Sequence, residues 1–335
     1  MYELLIANKE TGEIWDVASI TTSEVSVSTE RSGSPAQLSF SLYLTPGVRF
    51  SHGDIVRFSV NGRLIFYGFI FTIEHGRWNA CTVTCYDRLR YLKTNATYAF
   101  YALTVGDIIR QIAGDLQLDV GEIADTGYKI PKLIETDKDC IDIIQDALNQ
   151  TLLNTGLVYV FYDNGVGLSL KQAGEWTCDT VLGDKSLVTE FSYKTDIDTN
   201  TYNSVKVVSP NTSTGKNDVI VVQDSANIER WGLLQLYQPV DEGLNTAQLA
   251  AQARQTLEYY NKIHKTLALE TLGVDGLRAG MMVRILLPKA GFDSIAAWTL
   301  CESVSHSYSH DMHTMQVEVL ELTDDLIGRA TEDSE

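Results

Sequence analysis

Two widely separated stretches of this 335-residue chain carry the same strand pattern, and a fold for it must accommodate both. Gly53-Asp54-Ile55-Val56-Arg57-Phe58-Ser59-Val60 resembles Gly280-Met281-Met282-Val283-Arg284-Ile285-Leu286-Leu287. In each a glycine turn leads into a strand with apolar residues at alternate positions, and Arg57 and Arg284 hold the same place on the opposite face. Alternation of this kind belongs to a half-buried β-strand, because successive side chains leave the backbone on opposite sides. The sequel agrees as well. His75 and His306 each end a strand, and each is followed by a polar turn and another alternating strand, Cys81 to Cys85 and Thr314 to Val319. Order, spacing and pattern together point to a β domain duplicated within one chain. A trimer of such a chain would present six similar faces in a ring.

The remaining pattern places strands at both ends. Tyr2 to Ala7 and Glu13 to Ala18 flank a polar turn, and Leu38, Phe40, Leu42 and Leu44 alternate with more polar neighbours. Asn61-Gly62 between Asp54–Val60 and Arg63–Phe71 suits a type I′ hairpin, whose two central residues take positive φ. From residue 104 the period changes. Thr104-x-x-Asp107 resembles a capping box ahead of Ile108, Ile109, Ile112, Ala113 and Leu116 at helical spacing. A second helix is expected from about Lys138 to Leu153, with Gly156 as its stop. A hairpin over Asp163-Asn164-Gly165 completes a helix–helix–hairpin module. Strands return near 180, interrupted by one long helix from near Asn245 to about Ile263. The expected organisation is a first β-barrel at 1–100, an α/β module at 101–175, a second barrel with a long helix at 176–323, and an acidic tail at 324–335. The fold class is mainly β (α+β).

Composition narrows the function. With 44 acidic against 26 basic residues, the net charge of −18 argues against binding duplex DNA, which rewards a basic face. The five cysteines are scattered and odd in number, so they are read as buried thiols and not as a disulfide framework. No apolar run is long enough for a membrane span, and Met1-Tyr2-Glu3 does not open a signal peptide, so synthesis in the cytoplasm is expected.

The search for chemistry yields little. Thr214-Gly215-Lys216-Asn217 lacks the first glycine and the Ser/Thr of a phosphate loop, and Asp196-x-Asp198-x-Asn200 has Thr201 where a calcium loop needs glycine. Paired carboxylates such as Asp163/Asp179 or Glu135/Asp137 arise freely in a chain this acidic. His306, His310, Asp311 and His313 are the one concentrated set of metal-ligand types, read as strand and turn residues because spacing alone does not make them converge. The expectation is no catalytic residue, no cofactor and no metal.

Several segments then fall into a recognisable order. They are Cys85-Tyr86-Asp87-Arg88-Leu89-Arg90-Tyr91-Leu92-Lys93-Thr94-Asn95, the Thr104–Leu116 helix, Asn227-Ile228-Glu229-Arg230-Trp231-Gly232-Leu233-Leu234-Gln235, the Gln248–Tyr260 helix and Gly276-Leu277-Arg278-Ala279-Gly280. The set resembles hub proteins of contractile phage-tail baseplates, the XkdQ/YqbQ type of Gram-positive prophages and phage-tail-like bacteriocins. That resemblance implies a homotrimer of two-barrel chains in a pseudo-sixfold ring, joining a hexameric tail tube to a trimeric spike. It implies a place in the baseplate of a virion or bacteriocin particle, with the tail tube, central spike, baseplate wedge and tape-measure proteins as partners. It implies no active site in the chain, no membrane and no specific nucleic acid. Asp87, Arg88 and Arg90 are read as polar contacts at the junction of barrel and module. The competing reading is a peptidoglycan-binding or peptidoglycan-hydrolysing tail component, which would need a carboxylate pair in a cleft or a metal on the histidines.

Overall fold

The computed structural model describes residues 2–211, 215–240, 243–290, 293–309 and 311–320. The segment expected as an acidic tail, 324–335, and His310 lie outside the described residues. The chain divides into two compact units, one formed by the residues up to Ser192 together with those from Leu267 onward, the other by Tyr193–Thr266.

In the first unit the N-terminal strands are β1 (Tyr2–Ala7), β2 (Ile14–Asp16), β3 (Val25–Glu30), β4 (Gln37–Tyr43), β5 (Ile55–Val60), β6 (Arg63–His75) and β7 (Ala80–Tyr86). The alternation around Phe40 is realised in β4, where Leu38, Phe40 and Leu42 are buried with Leu4, Ile6, Val56, Phe58 and Val83 in one core. The β5–β6 hairpin turns on Asn61 and Gly62, both with positive φ (49° and 79°), as the dipeptide demands.

The helical module follows: β8 (Asn95–Leu103), α1 (Val105–Asp115), β9 (Val120–Ile123), β10 (Ile130–Asp139), α2 (Cys140–Thr155), β11 (Tyr159–Asp163) and β12 (Leu168–Gln172). Both bonds of the capping box form at the start of α1, and Gly156 ends α2 in the left-handed region. The helices and the hairpin stand where the periodicity put them. Strands β8, β9 and β10 did not announce themselves, because β8 and β10 pair only with each other and expose most of their side chains, which blurs the alternation. The module has its own core, with Ile108, Ile109 and Ile112 packed against Ile143, Ile144 and Ala147.

Strands β13 (Thr177–Gly183) and β14 (Val188–Asp196) come next, and then the second unit. That unit holds β15 (Ser204–Asn211), β16 (Lys216–Gln223), α3 (Ser225–Trp231), β17 (Gln235–Pro239) and α4 (Thr246–Tyr260). Its sheet, ordered β16-β15-β17, buries Val205 and Val207 against Leu249 and Ala253 of α4. The long helix is thus present, while α3 and β17 escaped the sequence reading. Helix α3 buries no residue and owes its start to Asp224, whose carboxylate accepts from the Ala226 and Asn227 amides.

The chain returns to the first unit with β18 (His264–Leu272), β19 (Met282–Ala290), β20 (Asp293–Tyr308) and β21 (His313–Leu320). The two halves share one strand order, β3-β4-β7-β6-β5 and β14-β18-β21-β20-β19. Their registers match residue for residue. Gly53 and Gly280, with φ of 86° and 89°, donate to Ile70 and Cys301, whose own amides return to Asp54 and Met281. Arg57 faces Tyr67 as Arg284 faces Trp298, and the bulge between Ile70 and Thr72 recurs between Cys301 and Ser303. His75 and His306, opposite Cys81 and Met315, are therefore equivalent positions. The repeats differ at their flanks, since β1 runs antiparallel to β5 whereas β13 runs parallel to β19.

The long strand β20 also pairs with β3, from Ser303↔Glu30 to Tyr308↔Val25. This ladder joins the repeats in one sheet, and Tyr308 enters the N-terminal core. Residues Tyr193–Thr266, which begin within β14 and end within β18, pack on a core of their own.

Candidate functional site

The β18–β19 connection, from Gly273 to Gly280, is where three parts of the first unit meet, and it contains one of the segments that carried the resemblance. Besides local turn bonds such as Leu277 N–H to the Val274 carbonyl, it makes contacts that are long in sequence. Asp275 accepts from Asn61 Nδ2 (2.9 Å) at the tip of the β5–β6 hairpin, and its carbonyl accepts from Arg63 Nη1 (3.0 Å). The Ala279 amide donates to Thr29 Oγ1 on β3 (3.0 Å). Arg278 donates to the Asp163 carbonyl (3.0 Å), and its guanidinium lies over the rings of Tyr162 and Trp176, at 4.7 and 5.8 Å from their centroids. Stacking suits arginine because the planar cation meets the negative face of a ring. Gly280 cannot be exchanged freely. Its φ is 89°, and a Cβ there would fall 2.3 Å from Val160 Cγ1.

The other end of the junction is built by Asp87-Arg88. Asp87 caps the 3-10 turn Arg88–Leu92 by accepting from the Leu89 amide (3.0 Å). Arg88 Nη1 reaches both oxygens of Asp163 (3.1 and 3.0 Å), and the Arg88 amide adds a third bond. Arg88 also lies 4.8 Å over the Tyr67 ring. Asp163 accepts from the Gly165 amide as well, so both of its oxygens are taken by protein donors. Arg90 sits 5.5 Å over Phe71. Burial, with the nearby Asp163 charge second, pushes the Asp87 carboxyl up to about 8. Asp87, Asp163, Arg278 and His306 line a cleft of about 180 Å³ together with Tyr162 and Trp176. Of the residues read as junction contacts, Asp87 and Arg88 meet Asp163 and Arg278 here, whereas Arg90 stacks on Phe71 of β6; nothing in the spacing of Asp87 and Arg278 foretold their proximity.

The histidine set resolves differently. His306 is buried, donates from Nε2 to the Leu277 carbonyl (2.7 Å) and faces His313 Nε2 through Nδ1 (2.9 Å). His313 Nδ1 in turn stands 3.2 Å from Asp275 Oδ1. Burial holds His306 down to about 4 and lowers His313 as well. The ring nitrogens face each other, a carbonyl and a carboxylate in succession, and do not converge on one point as a ligand set would. Among the described residues no group of three or more His, Cys, Asp or Glu could hold a metal ion. The carboxylate pairs fare likewise. Asp163 is tied to Arg88 while Asp179 is exposed, and Glu135 pairs with Lys138 (3.3 Å). All five cysteines are buried and free.

This geometry is that of a packed joint between repeat, module and repeat. Known proteins show the family and the fold of the chain. The model of the YqbQ-like family matches residues 25–320. YqbQ of Bacillus subtilis (strain 168) is 29% identical over 309 residues, covering 90% of this chain and 93% of that protein. The phage-like element PBSX protein XkdQ of the same organism is 30% identical over 274 residues, covering 81% and 82%. The crystal structure of the prophage MuSo2 43 kDa tail protein from Shewanella oneidensis superposes with a TM-score of 0.70 at 12% identity, covering 97% of this chain and 99% of that one. This mostly β chain therefore shares its fold with a phage tail protein, and it belongs to the YqbQ-like family.

Proposed function

We propose that this protein is the structural hub of a contractile-tail baseplate or tail-like particle, a homotrimeric adaptor that joins a hexameric tail tube to a trimeric spike. The observation that carries the reading is the internal repeat. Three chains with two matching five-strand sheets each offer six near-equivalent faces to a sixfold partner while keeping threefold symmetry toward the other. Membership beside XkdQ, a protein of a phage-like element, supports a tail location. The engaged oxygens of Asp163 and the mutual bonding of His306 and His313 suit a chain that assembles and does not catalyse. Partners in this reading are further copies of the chain, the tail tube, the central spike, and the wedge and tape-measure proteins. Native mass spectrometry of the purified chain tests it: the expected species has three chains, and a stable dimer or tetramer overturns the reading.

A further inference from the structure

The repeats have equivalent strands but unequal surroundings. Strand β3 of the first repeat lies along β20 of the second over Ser303–Tyr308. The equivalent stretch of β6, from Thr72 to His75, pairs with β7 on one side only, and among the described residues no strand lies on its other edge. The equivalent of β3 is β14, which is hydrogen-bonded to β18 and, among the described residues, to no other strand. Burial follows the pairing. In β3 the residues Val25, Val27 and Thr29 are buried, and in β20 so are Val304, His306 and Tyr308. No residue of β14 is buried, and Thr72, Glu74 and His75 are exposed. Beside that open edge stands Trp78, 89% exposed and held at φ 62°.

We infer that β14 of one copy adds to the free edge of β6 in the next, repeating between chains the β3–β20 ladder formed within one chain. The occupant is a second copy because the chain already contains this interface once, made from equivalent strands. An open strand edge offers unpaired amides and carbonyls, which a further strand satisfies. The contact joins two different surfaces, so it propagates head to tail and closes into a ring when the rotation allows.

The register follows from the repeat. The Gly273 amide donates to the His313 carbonyl as the Leu44 amide does to Asn79, which makes Leu267 the equivalent of Leu38. The Leu272 amide donates to the Leu187 carbonyl, which sets Ser192 opposite Leu267 as Val27 is opposite Leu38. His75 of one copy then faces Ser192 of the other, as His306 faces Val27. Two residues further along, Arg77 faces Glu190, a pair of opposite charge where the intrachain ladder has Tyr308 and Val25. Trp78 comes to lie at the covered end, the kind of residue that dominates interface energetics.

The inference rests on the self-assembly in the proposed function, and two measurements separate them. In the full chain, His75→Cys combined with Ser192→Cys is expected to give intermolecular disulfides under mild oxidation, and each single variant none. Arg77→Glu and Glu190→Arg are each expected to weaken association at least tenfold, and the two together to restore it. A covalently closed three-chain product supports both ideas. Oligomers without a 75–192 link, or without rescue by the charge swap, overturn this interface and leave the hub reading standing. A linked ladder that never closes at three chains supports the interface and overturns the trimeric adaptor. A chain that stays monomeric and unlinked throughout overturns the interface.

Discussion

Replacing Asp87 by asparagine isolates the electrostatic strain at the junction. The side chain keeps its shape and an oxygen to accept the Leu89 amide, but it loses the ionisable proton. In the folded protein desolvation, reinforced by the Asp163 charge, raises this carboxyl from 3.8 to about 8. A carboxyl raised on folding binds its proton more tightly in the folded state. Its stabilising contribution is thus complete below the unfolded value, falls as pH rises, and is gone once pH passes the folded value. Between pH 5 and 7 the folded chain holds about one proton more than the unfolded chain at this site. One proton corresponds to a slope of about 1.4 kcal/mol per pH unit, or about 3 kcal/mol across that window. His306 acts in the opposite sense, because its folded value is depressed to about 4 and its stabilisation appears as pH rises toward 6.5. The background from His306 is common to parent and variant, so the difference between them reports Asp87. Urea unfolding at pH 5, 6 and 7 gives the two slopes. The expected result is a difference near 1.4 kcal/mol per pH unit, with Asp87→Asn gaining on the parent as pH rises. Parallel pH profiles would refute the claim that Asp87 is buried as a protonated acid.

Three further outcomes are expected. Arg88→Met keeps the packing of the stem but strands the Asp163 carboxylate, which is 1% exposed, and should cost about 3–5 kcal/mol, with part recovered by adding Asp163→Asn. Urea unfolding read with hydrogen exchange over the β11–β12 hairpin tells that loss from a merely local one. Gly280→Ala should destabilise by about 2–4 kcal/mol, since it combines positive φ with a Cβ forced onto Val160, and trimming Val160 to alanine should relieve only the second part. Zinc added to the purified chain should leave no stoichiometric ion on His306 and His313 after desalting, as read by native mass spectrometry. Stoichiometric zinc there would reverse the reading of these rings as hydrogen-bond partners.

Local rules made much of the chain legible before its structure. The alternation through Leu38, Phe40 and Leu42, the Asn61-Gly62 turn, the capping box at Thr104 and the glycine stop at Gly156 depend on neighbours a few residues away, and each is present. The match of Gly53–Val60 with Gly280–Leu287 also holds, down to paired glycines with φ of 86° and 89°. Strands β8 and β10 failed to show because they bury little, and α3 because its one signal is a cap.

What the sequence could not decide is which distant groups meet. Asp87, Asp163 and Arg278 share one junction because the ladder between β3 and β20 and the packing of the β11–β12 hairpin bring three regions together. Pairing between strands is set by hydrogen bonds between segments hundreds of residues apart, such as Val27 with His306, and no short-range pattern encodes it. The histidines show the same division. Their spacing left a metal open, and only the positions of Leu277, Asp275 and the two rings committed their nitrogens elsewhere. Sequence thus determined the repeated strands and their faces, through side-chain periodicity. Tertiary structure decided how the repeats join and which edges they leave open, because backbone amides and carbonyls are the same in every strand and are satisfied only by what lies alongside.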